Sequence, residues 1–470
     1  MASKDDVSAI YESVGVGGKL VRMTLRVDNW TFSSVLLCDN TFVEKGGGMP
    51  PLPLLPHEAS TKNGSLDNFH FSIGQDPKRS RDSPQCPATL ENLPSDILLK
   101  IFIRLLAKQL AQMRCVSKSW NALLSQTSFI KSHLHHSINN NDRFLLIFYY
   151  NLLSLDPIPF TIHPCRFPHH ELTNFIKLPP VIPDSEDTTT DMISVIGSVH
   201  GLICSRYSDN GIQIWNPSLS AVLTLPPHYI PSRGPYEIFF QFGFDPKTDD
   251  YKVVKVIGLT APHIRQPDLL PYPVKEWLQV EVYSMRKGSW RFITQKFPLR
   301  VTEIFLPENV CVDGHDGHLH WLGYIGEEGD RLMIVAFDLG SETFSEMTLP
   351  VPDAVIDCNG CYPLGVLAGK LCFITWVADD DVCEVWVMEE YGVAESWVKR
   401  HVFLQFSYGA PSFGFTSHSE FVIEDDDRCL VLYDPIADRE KVLEKYCPKF
   451  GTNKIVEYVD SLVWVTPSVR

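Results

Sequence analysis

The stretch HGLICSRYSDNGIQIWNP, residues 200–217, decides the architecture. A glycine leads into the apolar run Leu202-Ile203-Cys204. The polar gap Ser208-Asp209-Asn210-Gly211 follows, and a second apolar run from Ile212 closes on Trp215-Asn216-Pro217. Runs this short, punctuated by Gly, Asp, Asn and Pro, read as strands.

The phrase returns downstream. DGHLHWLGY (316–324) precedes RLMIVAFDLGSETFSEMTLP (331–350), which carries Phe337-Asp338. GKLCFITWV (369–377) precedes DVCEVWVME (381–389) with Trp386, and RCLVLYDP (428–435) carries Tyr433-Asp434-Pro435. With Tyr283 in VEVYSM, the aromatics Tyr283, Phe337, Trp386 and Tyr433 stand 54, 49 and 47 residues apart. A period near 50, with four strands per unit, is that of a kelch-type propeller blade. The run FLLIFYY (144–150) is a buried strand, and 155–190, rich in Pro and Thr, is loop.

Upstream the period changes. Residues 89–134, TLENLPSDILLKIFIRLLAKQLAQMRCVSKSWNALLSQTSFIKSHL, are helical. Pro94 suits a first helical turn, where its missing N–H has no partner to lose, and Asp96 places a carboxylate at the positive helix end. Leu93, Ile97, Ile101 and Leu105 step by four beside Leu98 and Phe102 and make one apolar face. Leu110, Met113, Val116, Trp120 and Leu123 make a second. The pattern predicts two or three short helices, too small a unit to stand without a partner. Six basic residues, Lys100, Arg104, Lys108, Arg114, Lys118 and Lys131, face only Glu91 and Asp96 here, which suits an acidic partner surface.

Residues 1–88 read as a mostly irregular extension. KLVRMTLRVDNWTFSSVLL (19–37) alternates enough for a strand pair. The glycines at 46–48 and the prolines between Pro50 and Pro56 oppose regular structure and read as a spacer more than as a PxxP ligand. Lys78-Arg79-Ser80-Arg81 is too short a basic run to outweigh a solvated linker as a nuclear import signal. The expected fold is thus multidomain: an extension over 1–88, a small all-α module over 89–134, and an all-β kelch-like β-propeller over 143–470.

The whole chain has 470 residues and a formal net charge of −16, which argues against a broad nucleic-acid surface. No run approaches the ~18 apolar residues a membrane helix needs. The start MASKDDVSAIYES has acids where a secretion signal needs a basic and then an apolar stretch, so an intracellular protein, of cytoplasm or nucleus, is expected. The 12 cysteines follow no repeated spacing and read as small buried side chains. Cys358 and Cys361 alone have CxxC spacing, without the second pair a zinc site needs, and Asn359-Gly360 between them reads as a turn.

The helical stretch resembles an F-box. The residues that carry the likeness are Leu93-Pro94, Ile97, Leu98, Ile101, Leu105, Cys115-Val116-Ser117-Lys118, Trp120, Phe129 and Leu134. The β part resembles the F-box-associated, kelch-like domain of a large plant family, through GSVHGL (197–202), Trp215-Asn216-Pro217, FGFDP (242–246) and DDYKVV (249–254). One departure matters. The family usually has proline after the first helix, where this chain reads Arg104-Leu105-Leu106-Ala107-Lys108, so the first helix is free to run on and adaptor binding to weaken. Ala111 and Gln112 likewise stand for a bulkier apolar residue and a basic one.

The resemblance implies the substrate-recognition subunit of an SCF-type E3 ubiquitin ligase. Its F-box would dock on a Skp-type adaptor, which links to a cullin and a RING protein, and its β domain would hold an unknown substrate protein. Such a subunit is not an enzyme and needs no cofactor; it raises the local concentration of a target lysine. The adaptor contact would fall on Leu93, Pro94, Ile97, Leu98, Ile101, Leu105, Val116 and Trp120, although helix-to-helix packing alone would also explain apolar residues there. For substrate, exposed aromatic and Arg positions such as Tyr229, Arg233, Tyr236, Tyr272 and Tyr362 are candidates.

Other constellations weigh less. Cys311, His315, His318 and His320 have ligand chemistry, but His318 and His320 alternate along a strand. Asp379-Asp380-Asp381 and Glu424-Asp425-Asp426-Asp427 lack calcium-loop spacing and read as hairpin tips. There is no GxSxG elbow, phosphate loop or RING-type Cys/His array. Two readings compete with the receptor: a binding module whose F-box no longer engages an adaptor, and a propeller oxidase with copper held by Tyr and His.

Overall fold

The computed structural model describes residues 7–13, 20–27, 30–37, 72–74, 95–115, 117–140, 143–151, 160–164, 194–206, 211–232, 235–260, 274–304, 315–325, 331–350, 364–377, 382–403, 412–425, 429–444 and 450–465. Six antiparallel sheets form a closed ring. Blade 1 is Ser194–Val199, Leu202–Arg206, Ile212–Asn216 and Ala221–Thr224. Blade 2 is Tyr236–Asp245, Asp250–Thr260, Gln279–Ser284 and Ser289–Lys296, with Val274–Trp277 added beside its second strand. Blade 3 is Val301–Ile304, His318–Ile325, Arg331–Asp338 and Thr343–Thr348. Blade 4 is Leu364–Leu367, Lys370–Val377, Val382–Met388 and Trp397–Phe403. Blade 5 is Ser412–Phe415, Phe421–Glu424, Leu430–Asp434 and Arg439–Glu444.

The sixth sheet closes the ring from both directions of the chain. Arg143–Asn151 lies between Phe160–Pro164 and the late strand Phe450–Val459. Phe144, Leu146 and Phe148 pack into blade 1, while Leu145 and Ile147 pack into blade 5. The run 144–148 is apolar at every position because both faces of its sheet are covered. Each neighbouring pair of blades shares such a core, for example Val254, Trp277, Phe297, Trp321 and Phe337 between blades 2 and 3.

The repeat has a local cause. At the end of the third strand of blades 2, 3 and 5, and in the first hairpin of blade 2, a polar side chain accepts N–H groups from the next residues: Asp245 Oδ1 from Lys247 at 2.9 Å, Ser284 Oγ from Lys287 at 3.1 Å, Asp338 Oδ1 from Gly340 and Ser341 at 2.7 Å each, and Asp434 Oδ1 from Ile436 at 3.0 Å. Four residues on, the chain turns left-handed at Asp249, Gly288, Glu342 and Asp438. This Asx-type turn is what the FDP, FDLG and YDP phrases encode. The leading glycines have the complementary role. His200-Gly201 and Ala368-Gly369 are two-residue hairpins with positive φ at both positions, the conformation in which glycine costs least.

The helical module contains four helices, one more than the upper count predicted: α1 Ser95–Phe102, α2 Ala107–Met113, α3 Lys118–Leu124 and α4 Thr127–Asn139. Ser117 caps α3 by accepting the Trp120 N–H at 3.1 Å. Phe102 and Trp120 meet edge to face at 5.3 Å in a core with Leu105, Leu110, Met113, Leu124 and Phe129. His133 Nε2 donates to the Leu105 carbonyl at 2.8 Å and ties α4 to the turn after α1.

That turn corrects the expectation raised by the missing proline. α1 ends at Phe102 without one. The chain tightens through Arg104 N–H to Ile101 O and Leu105 N–H to Phe102 O, and Leu106 takes φ −64° and ψ 145°, a conformation proline would adopt. Two contacts replace the ring: the Leu106 N–H donates to Gln109 Oε1 at 3.2 Å, and its side chain packs on the propeller between blade 1 and the closing sheet.

In the extension, Leu20–Val27 pairs with Trp30–Leu37, the expected strand pair, with Val7–Ser13 and Ser72–Gly74 added at its two edges.

Candidate functional site

The strands sort the loops onto two ends of the ring. In every blade the hairpins joining strands one to two and three to four share one end. The helical module sits there: Lys131 on α4 pairs with Asp249 at 2.8 Å, and Leu219 joins the helical core. The hairpins joining strands two to three, and the connections between blades, share the far end.

On the module, the proposed adaptor residues divide by burial. Leu98, Leu105 and Trp120 lie in the core, at 7%, 3% and 4% exposure, where they hold the helices together. Ile97 is 45% exposed, and Ile101 is half-buried on the same helix. An isoleucine that exposed has no packing role to explain it, although a single surface apolar residue is ordinary. Leu93, Pro94 and Val116 lie outside the described residues, as do Arg233, Tyr272 and Tyr362.

Tyr229, in the connection from blade 1 to blade 2, is 48% exposed, beside Ile230 at 40% and Phe292 at 46%. The rings of Tyr229 and Phe292 meet at 5.9 Å. Beneath them lies the fully buried Lys255, whose ammonium donates to Glu281, to the Tyr229 carbonyl and to His228 Nδ1. Glu281 in turn accepts the Tyr229 N–H at 3.2 Å. Burial pulls the Lys255 pKa down, against the raising effect of Glu281. An exposed aromatic on a backbone held this firmly is pre-organised for contact. Tyr236 is half-buried at the start of blade 2. Near it, burial and then the charge of Glu237 push Glu303 up to about 7.

A cavity of about 500 Å³ opens among the innermost strands. Its charges serve each other: Glu457 accepts from Arg143 at 2.9 Å and from the Ser417 N–H at 2.7 Å. Burial, and then Arg143, hold His200 at its rim below the ordinary imidazole range.

His318 and His320, the two members of the metal-like set with described side chains, turn to separate partners. His318 Nδ1 lies 3.0 Å from the Asp316 carbonyl, while His320 is buried with Nε2 2.8 Å from the Tyr391 hydroxyl. No cluster of three or more His, Cys, Asp or Glu able to hold a metal occurs among the described residues. Cys311, Cys358, Cys361 and Asp379–Asp381 lie outside them. Asp425 closes a hairpin by accepting the Cys429 N–H at 2.7 Å. Among the described residues no helix is long and apolar enough to cross a membrane.

Sequence reasoning missed the contact that joins module and propeller. Asp460 Oδ2 accepts the Ala107 N–H at 2.7 Å, and Leu462 is buried in the helical core. No repeat or motif marks either residue.

The F-box associated beta propeller domain profile matches residues 167–435, and the F-box-like profile matches 90–135. The F-box protein CPR1 of Arabidopsis thaliana is 28% identical over 410 residues, covering 80% of this chain and 89% of that protein. An F-box/kelch-repeat protein of the same plant is 26% identical over 312 residues, covering 66% and 78%.

Proposed function

Since the chain belongs to the family defined by the F-box associated beta propeller domain, here preceded by an F-box, we propose that it is the substrate-recognition subunit of an SCF-type ubiquitin ligase. The F-box would dock on a Skp-type adaptor, and through it reach a cullin and a RING protein, in cytoplasm or nucleus. The far end of the propeller would hold the target protein for ubiquitination and degradation, and this subunit itself would carry out no bond chemistry.

The observation that carries the reading is the arrangement of surfaces. The helical module sits on one end of the ring, against blades 1 and 2 and the closing sheet, while keeping Ile97 in solvent. The opposite end, with its exposed and braced Tyr229, stays clear of it. A receptor needs two separated surfaces of this kind.

Within the adaptor site, Ile97 and Ile101 are assigned to direct contact, together with Leu93, Pro94 and Val116. Leu98, Leu105 and Trp120 are assigned to holding those residues in place. Co-purification with a Skp-type adaptor tests this. The parent should retain adaptor, and Ile97→Asp should lose at least tenfold in affinity, about 1.4 kcal/mol, with the melting temperature unchanged. Trp120→Ala should lose adaptor and helical structure together. A folded parent that retains no adaptor would overturn the receptor reading and leave a free-standing binding module as the better account.

A further inference from the structure

We propose that Asp460 is a positioning residue: with the segment running to Val465 it clamps the F-box onto the propeller, so that the two move as one body and the far end faces a fixed direction relative to a bound adaptor. The consequence for ubiquitin transfer rests on the receptor reading; the clamp itself does not.

One covalent link joins the two parts, the few residues between α4 and Arg143. Domains joined that way rotate against each other unless a substantial interface forbids it. Here the end of the chain returns to supply one. α2 begins at Ala107 after Leu106, a residue with no side chain able to cap a helix. The acceptor for its first N–H comes instead from Asp460, 353 positions away, 3% exposed. Negative charge is favourable at that end of a helix. The other oxygen of the same carboxylate accepts from the Ser218 hydroxyl, which also bonds the Tyr458 hydroxyl, so the cap is braced by blade 1 and the closing sheet.

The residues after Asp460 continue the contact. Asn216 Nδ2 donates to the carbonyls of Ser461 at 3.0 Å and Val463 at 2.8 Å, holding the segment extended. Leu462 enters the helical core, Val463 and Val465 enter the core between blades 1 and 2, and Arg114 of the module lies 5.6 Å over the Trp464 ring. Side chains therefore alternate between module and propeller. Leu106 fills the junction from the helical side. The packing leaves no slack: a Cβ on Gly201, whose φ is +77°, would come within 2.3 Å of the Val459 carbonyl and 2.5 Å of Ser461 Cβ.

The test uses the full chain with its adaptor, cullin and RING protein, and two variants that break the contact from opposite sides. Asp460→Ala removes the acceptor. Ala107→Pro removes the donor, at a first helical position that proline favours and after a residue whose ψ of 145° proline tolerates. Asp460→Asn keeps accepting oxygen and serves as the conservative rescue. Amide exchange across residues 103–113 should accelerate about tenfold in both breaking variants and much less in Asp460→Asn, with exchange in blades 3–5 unchanged. In the reconstituted ligase, self-ubiquitination of the parent should fall on a restricted set of propeller lysines. Both breaking variants should spread it to further lysines while adaptor affinity stays the same. Unchanged exchange in both variants overturns the clamp, and faster exchange with an unchanged lysine pattern overturns the positioning role. If the parent binds no adaptor, the receptor reading fails, and the exchange measurement alone decides whether the clamp exists.

Discussion

The two ends of the propeller treat their polar groups in opposite ways. At the end that carries the helical module, turns are short and carboxylates are spent on the chain itself: Asp245, Asp338 and Asp434 accept the N–H groups of their own turns, and Asp460 caps a helix. At the far end Tyr229, Ile230 and Phe292 stay in solvent. Glu303 there is pushed up in pKa where Asp338 is held down. An end whose carboxylates satisfy their own turns is a scaffold, and one with an aromatic braced over a buried lysine and an acid pushed up in pKa has the character of a binding surface.

The largest effect is expected where the scaffold end buries charge. Lys252 donates to Asp245 at 2.9 Å, to the Leu339 carbonyl at 2.6 Å and to Glu342 at 3.1 Å, linking blades 2 and 3. Asp245 is fully buried. Lys252→Met keeps the length of the side chain but leaves that carboxylate without its cation, which should cost about 3–5 kcal/mol. Chemical denaturation of the two proteins measures it. A loss under about 1 kcal/mol would mean that the turn N–H groups alone satisfy Asp245 and that the cation is incidental.

A smaller effect, opposite in sign at the two ends, is expected on titration. Burial raises the Asp338 pKa, but Lys247 and the Ser341 and Gly340 N–H groups outweigh it and hold the carboxyl at about 2. A depressed carboxyl stabilises the fold above its unfolded pKa of about 4, and that contribution is lost as pH falls from about 4 toward 2. Glu303 is the reverse. Raised to about 7, it favours the fold only while protonated, so stability declines as pH rises from the unfolded value of about 4.3 through 7. Glu303→Gln should therefore raise the melting temperature more at pH 8 than at pH 5. An equal shift at both pH values would mean that the substitution acts through packing, and the contrast between the ends would lose its electrostatic half.

The same division explains what could be read in the sequence. The propeller was legible because several scaffold-end turns repeat one chemical device, so Phe337-Asp338 and Tyr433-Asp434 recur in like phrases. The helical face was legible from its four-residue steps. Periodicity does not say which apolar residue on a helix ends in the core, so Ile97 and Leu98, adjacent in sequence, looked alike until their exposures, 45% and 7%, separated them. Tyr229 could be named from residue type and loop position, but Lys255 beneath it could not, because a lysine inside an apolar strand carries no mark of its partner. Asp460 and Leu462 were invisible for a related reason. Their partners in the helical module lie more than 300 residues away, and a contact of this kind occurs once and leaves no repeat.

The smallest effect is expected where the chain departs most plainly from its family. Leu106→Pro restores the usual proline at a residue whose φ of −64° already fits it. The ring lowers the entropy of the unfolded chain, a gain of about 0.4–1 kcal/mol. Against this stand the lost bond from the Leu106 N–H to Gln109, worth about 1 kcal/mol, and the lost apolar contact with the propeller, worth about as much for a half-buried leucine. The balance is a net destabilisation of about 1 kcal/mol, read from thermal or chemical unfolding, with adaptor affinity unchanged because Ile97 and the outer face of α1 are untouched. A stabilised variant would mean that the leucine contributes nothing at the junction. A variant that gains adaptor affinity would mean that the first turn of α2 belongs to the adaptor surface, and that this chain exchanged part of its grip on the adaptor for a tighter seat on its own propeller.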